Sequence, residues 1–132
     1  LWRLIPHTAD LRAELVAPSL GALYQEGASL VRELLVGRSP VLPRERRTLA
    51  LEGTQLGERF FRYLRELLYL FDAHNFLVAG VAFAEPSCEV FGERFDPERH
   101  WVERQLKAVT RHGYRFELQP GGGYRVEAIF DL

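Results

Sequence analysis

Residues 106–131 read LKAVTRHGYRFELQPGGGYRVEAIFD, and this stretch decides the fold. Leu106, Ala108, Tyr114, Phe116 and Leu118 recur at even spacing against Lys107, Arg111, Arg115 and Glu117, which is the period of a strand with one buried face. Pro120 and the three glycines Gly121 to Gly123 form a turn. Tyr124, Val126, Ala128 and Phe130 then repeat the alternation on the way back. The segment is a β-hairpin. If its strands pair symmetrically about the glycine turn, Asp131 faces Arg111, and Lys107 lies two same-face positions farther along, ~13 Å by strand rise.

Working outward, Phe76 to Glu85 and Cys88 to Phe95 form a second hairpin about Pro86-Ser87, followed by a turn at Asp96-Pro97-Glu98-Arg99. Upstream the period changes to that of helices. Leu56, Phe60, Leu64, Leu67, Leu68 and Phe71 form one apolar stripe from an opening at Thr54, with Glu58, Arg62 and Glu66 on the wet side. Leu20, Leu23, Tyr24, Val31, Leu34 and Leu35 form another, with Ser19 as N-cap and Gly37 as the stop. Short strands are expected at Leu1 to Pro6, Leu11 to Val16 and Thr48 to Glu52, with a loop over Pro40 to Arg47. Each helix follows a strand and opens on a hydroxyl residue with Leu-Gly close behind, a faint sign of a duplicated unit. The expected architecture is a single α+β domain over 1–132. Its two layers are a mainly antiparallel or mixed sheet and two helices covering one side.

A chain of 132 residues with 47% hydrophobic and 27% charged residues has enough apolar material for one core and no tract that resembles disorder. The single cysteine, Cys88, excludes an internal disulfide and favours a reducing compartment. The apolar run Phe76 to Ala84 is far short of the ~20 residues of a membrane helix, and no secretory pattern opens the chain. A cytoplasmic location is expected. Leu1 at the start, in a chain without methionine, suggests that a residue or two is missing there. The net charge of −1 argues against a protein that grips a phosphate backbone by many contacts.

Asp10 enters a strand from a turn, and Asp131 closes the last strand. If the first and last strands are neighbours, these carboxylates meet. With main-chain oxygen or the α-carboxylate of Leu132, they compose the oxygen set that hard cations take. Aspartates at strand ends are more often solvated or capping, so the residues alone leave both readings open. Lys107 is the sole lysine among 17 basic residues, a compact and tunable charge in a chain that otherwise uses arginine. His7, His100 and His112 lack metal-motif spacing and read as hydrogen-bonded structural residues, and His74 suits a helix C-terminus. Arg59, Arg62 and Arg65 step along one helix, where they attract an acidic partner or serve as a solvated face. No Ser-His-Asp set or phosphate loop is visible.

Five phrases in order resemble the archease family: His7-Thr8-Ala9-Asp10; Glu66-Leu67-Leu68-Tyr69-Leu70-Phe71-Asp72; Gly92-Glu93 with Asp96 and His100; Lys107-Ala108-Val109-Thr110 with His112; and Ile129-Phe130-Asp131-Leu132. The resemblance implies a non-enzymatic metal-binding partner of an RtcB-type tRNA-splicing RNA ligase that promotes ligase guanylylation and multiple turnover. It implies metal ligation by Asp10, Asp131 and Leu132, ligase activation by Lys107, and a divalent cation, Ca²⁺ first and Mg²⁺ or Mn²⁺ as alternatives. His7 is the nearest supporting group, and RNA is met through the ligase. The chain departs from the family pattern at Leu11-Arg12, at Arg65 in place of Asn, and at Gln105 in place of a Glu near Lys107. Two other classes stay open: a metal-dependent phosphoester hydrolase, disfavoured by the lack of a convincing general base, and a chaperone-like module, which needs an exposed apolar patch.

Overall fold

The computed structural model describes residues 1–5 and 10–132. Seven strands and two helices follow one another as β1 (Trp2–Ile5), β2 (Leu11–Ala17), α1 (Leu20–Val36), β3 (Glu45–Ala50), α2 (Leu56–His74), β4 (Phe76–Ala84), β5 (Ser87–Arg94), β6 (Ala108–Leu118) and β7 (Tyr124–Asp131). The fold is α+β, as the patterning indicates. Its strands form two sheets where one was expected: a four-stranded sheet ordered β1-β2-β7-β6 and a three-stranded sheet ordered β3-β5-β4. All described pairings are antiparallel. Alternation specifies which residues face the core but not which strands share an edge, so the division was not readable from periodicity.

The helix signals have local causes. Ser19 Oγ accepts the Ala22 N–H at 3.2 Å, capping α1, and Gly37 ends it at φ 60° with its N–H donating to the Glu33 carbonyl. The second helix starts at Leu56 with Gln55 before it, two residues beyond the expected opening at Thr54, and the Gln55 side chain does not cap it. At its other end Asn75 adopts the left-handed conformation and donates to the carbonyls of Leu70 and Phe71. The helices approach closely at Gly27, where a Cβ would lie 3.1 Å from the Phe60 ring. There Tyr63 Oη donates to the Tyr24 carbonyl at 2.9 Å. Phe60, Phe61, Phe76 and Phe130 are fully buried in the shared core, each burial stabilising by about 1.5–3 kcal/mol.

One irregularity governs everything at the sheet's working end. Leu118 pairs with Tyr124 and Arg115 with Glu127, but Thr110 pairs with Ile129, so β6 advances five residues while β7 advances two. The bulge holds Gly113 at φ 75°. Its extra length is an odd number of residues, so the inward face switches parity. Tyr114 and Phe116 pack against the core above the bulge, and below it Val109 is buried while Ala108 is exposed. The expectation that Ala108 faces inward is thereby corrected. Leu118, also expected inward, lies at the hairpin's outer end and is 70% exposed. Among the described residues no helix is long and apolar enough to cross a membrane.

Candidate functional site at the end of the four-stranded sheet

The first long strand and the last are direct neighbours. The β2–β7 ladder runs from Ala17↔Tyr124 to Leu11↔Phe130, so Asp10 and Asp131 are the next residues on each strand. Residues directly opposite in an antiparallel pair have Cα atoms about 4.5–5.5 Å apart. On its other side Asp131 pairs with Ala108, and the Lys107 N–H donates to the Asp131 carbonyl at 2.9 Å. Asp10, Asp131, Leu132 and Lys107 therefore gather at one sheet end, with Asp10 half-buried and the other three exposed. His7 lies outside the described residues.

The symmetric hairpin, with Asp131 facing Arg111 and Lys107 far away, is overturned by the bulge. Arg111 turns instead to α2, where its guanidinium grips Glu58 at 2.6 and 2.7 Å and stacks 4.3 Å over Phe61. That grip, helped by Arg62, holds the Glu58 carboxyl down at about 2. Beside Lys107 is an open cleft of about 430 Å³ lined by Leu35, Phe71, Asp72, Gln105 and Leu106. Asp72 is its carboxylate, on the helix that faces Gln105. Neither periodicity nor spacing marked Asp72, because its place in a cleft shared with Lys107 depends on how α2 packs.

The segment leading to Lys107 has no regular structure from Trp101 onward, yet it is fastened along its length. Trp101 N–H donates to Ser39 Oγ at 2.8 Å, Glu103 N–H to the Leu35 carbonyl at 2.8 Å, and the Arg104 guanidinium to the Leu34 carbonyl at 3.0 Å. The last two of these contacts satisfy carbonyls that the final turn of α1 leaves open. The segment's root is a buried ionic hub. Glu93, 2% exposed, accepts from Arg99 at 2.5 and 3.1 Å, from Leu42 N–H at 2.8 Å and from His100 Nε2 at 3.0 Å. Because Asp96 N–H donates to His100 Nδ1 at 2.9 Å, Nδ1 is the acceptor and Nε2 carries the proton. Hydrogen bonding from Arg99 above all, with Leu42 N–H and His100 adding to it, outweighs burial and holds the Glu93 carboxyl at about 2. His100 is thus a structural residue, as its lack of motif spacing suggested. Gly92 beside Glu93 is required by close approach, since a Cβ there would collide with the Leu77 carbonyl of β4.

Among the described residues no three His, Cys, Asp or Glu side chains cluster as a metal cage. The donor set at the sheet end is two carboxylates and main-chain oxygen. Such a set suits a hard cation that keeps several waters and does not suit zinc.

The sequence model of the Archease protein family matches residues 2–132. The chain belongs to the archease family. The archease of Archaeoglobus fulgidus is 30% identical over 99% of this chain and 98% of its own length. That of Pyrococcus abyssi is 25% identical over 99% and 98%. The archease fold is shared as well: a solution structure of a Methanobacterium thermoautotrophicum protein superimposes with a TM-score of 0.76 at 21% identity, covering 99% of this chain and 98% of that one. A Thermotoga maritima crystal structure, described as an archease and possible chaperone, gives 0.66 at 19% identity over 97% and 94%.

Proposed function

We propose that this archease is an accessory protein of an RtcB-type RNA ligase, active in tRNA splicing and RNA repair. In this reading it binds a divalent cation, Ca²⁺ first, through Asp10, Asp131 and main-chain oxygen of Leu132, and presents Lys107 beside it. The observation that supports this most is the pairing of β7 with both β2 and β6, which brings Asp10, Asp131 and Lys107 to one exposed sheet end. With a divalent cation bound, the charges of Asp10 and Asp131 would be neutralised and would no longer offset the Lys107 ammonium.

The chain's own residues do the rest. The bulge in β6 brings Lys107 into register beside Asp131, and the Glu93 hub holds the segment that carries it. A rigid tip of this kind shifts the ligase toward its guanylylation-competent state only through higher affinity for that state. RNA is reached through the ligase, in keeping with the net charge of −1.

The test is a guanylylation assay with purified ligase, GTP and each variant. Asp10→Ala, Asp131→Ala and Lys107→Ala are each expected to lower stimulation at least tenfold while the variants remain folded by circular dichroism. Full stimulation by both Asp10→Ala and Lys107→Ala would defeat the proposal.

A further inference from the structure

We propose that the groove between β3 and α2 receives an extended acidic peptide segment of a partner protein as an added strand. The site is separate from the sheet end: the groove is lined by α2 residues Arg59 to Glu66, and the cleft at Lys107 by Phe71 and Asp72. From Glu66 to Asp72 the helix rises about 9 Å.

The backbone supplies the first argument. Among the described residues β3 pairs only with β5 and stands at the edge of its sheet. Leu51 N–H donates to the Pro86 carbonyl at 3.0 Å, continuing the register in which Ala50 faces Ser87 and Leu49 faces Cys88. Antiparallel pairs alternate between bonded and non-bonded, so Leu51, Leu49 and Arg47 turn their main-chain polar groups toward β5. Ala50, Thr48 and Arg46 therefore turn theirs outward. Thr48 and Ala50 line a groove of about 250 Å³ whose opposite wall is α2. A strand edge facing a helix across a gap is the geometry by which an extended peptide is captured through main-chain hydrogen bonds.

Charge supplies the second argument and selects the peptide. Arg59, Arg62 and Arg65 line the groove against Glu52 and Glu66. Arg59 is held by Glu85 at 3.1 Å, and Arg62 by Glu58 at 3.1 Å and Glu52 at 3.6 Å. Arg65 is exposed and leans over the Phe61 ring at 6.0 Å, with no carboxylate partner among the described residues. Arg46 at the strand's far end is 67% exposed, with only a 3.6 Å approach to Glu89. Charges on an edge strand alone guard it from self-association. Here a row of arginines on the facing helix meets outward-turned backbone groups, and an extended chain with acidic residues at alternate positions satisfies both. A nucleic acid strand would leave the outward-turned backbone groups unused.

The experiment displays a random heptapeptide library on phage against the full chain and then titrates enriched peptides into ¹⁵N-labelled protein. Enriched sequences should carry Asp or Glu at alternate positions and shift amide signals of residues 46–52 and 59–66. Arg65→Glu should weaken binding at least tenfold. Thr48→Pro should do the same without disturbing the β3–β5 ladder, because the Thr48 N–H points outward. Arg65→Glu alters an exposed side chain and carries the test by itself if the proline variant fails to fold. Enrichment of peptides without acidic residues, shifts mapping elsewhere, unchanged affinity in Arg65→Glu, or no enrichment at all would overturn the proposal. So would an oligouridine probe that produces the same shifts at lower concentration.

Discussion

The Lys107 N–H donates to the Asp131 carbonyl at 2.9 Å, an alignment that exists only because β6 carries a bulge between Thr110 and Arg115. A regular hairpin would place Arg111 opposite Asp131, where Ala108 pairs instead.

Gly113 is the residue through which the bulge can be tested. It sits at φ 75°, and a Cβ there would lie 2.6 Å from Ile129 Cδ1. Gly113→Val is expected to destabilise the fold by about 1–3 kcal/mol, the cost of forcing a β-branched residue into that conformation. Urea unfolding measures the loss. The same variant should stimulate the ligase less than Gly113→Ala does, because relief of the strain moves Lys107 out of register with Asp131.

Much of this was legible in the residues, and the missing part has one physical source. The two helical stripes and the hairpins follow from period and capping, while the adjacency of the strands carrying Asp10 and Asp131 entered only as a condition that the β2–β7 ladder meets. Register within β6 did not follow, since alternation through Arg111, His112 and Gly113 looks the same whether the glycine continues the strand or kinks it. The odd-length bulge then displaced Ala108 from the core, put Val109 there, and drew Lys107 in beside Asp131. Glu93 and His100 were visible in a spaced phrase with Asp96, and Arg99 as part of a turn, but only burial shows them to be the anchor of the Lys107 segment. His7 remains outside the described residues, so its supporting role rests on its place three residues before Asp10 in the sequence.

Glu93 makes stability depend on acid pH. Its folded carboxyl titrates at about 2 against an ordinary 4.5, so the folded state binds its proton less readily than the unfolded chain. The hub's contribution is complete above about 4.5 and declines as pH falls from there toward 2. Thermal unfolding across that window should show a slope that flattens in Glu93→Gln. The variant also removes one partner of a buried ion pair and should lose about 3 kcal/mol at neutral pH.

Gly92→Ala is expected to be more damaging than its single methyl suggests. The added carbon would occupy the space of the Leu77 carbonyl, and a main-chain atom beside a β-bulge in β4 cannot rotate aside as a side chain could. The outcome is a loss of about 3 kcal/mol or failure to accumulate as folded protein. Chemical denaturation distinguishes this from the milder effect of alanine at the exposed turn position Gly121, where nothing lies within 4 Å of the added carbon.

Cys88 should be chemically silent in the native chain. It is 1% exposed, and burial pushes its thiol up to about 11. An aromatic disulfide reagent at pH 8 is expected to react fully in urea and negligibly in buffer. Rapid native labelling would mean that β5 opens away from its neighbours.

The metal reading makes a prediction that needs no ligase. If Asp10 and Asp131 hold a cation that the unfolded chain does not, the cation stabilises the folded state by mass action, about 2.7 kcal/mol at a hundredfold excess over its dissociation constant. Melting in the presence of a chelator should therefore fall below melting with added Ca²⁺. The gap should close in Asp131→Asn and in Asp10→Asn and persist in Lys107→Ala, whose ammonium repels the ion. Without cation Asp131→Asn is expected to match or exceed the parent in stability, because like charges at neighbouring strand ends repel each other. Equal melting of the parent with and without Ca²⁺, Mg²⁺ or Mn²⁺ would remove the cation from the proposal and leave Lys107 to act alone.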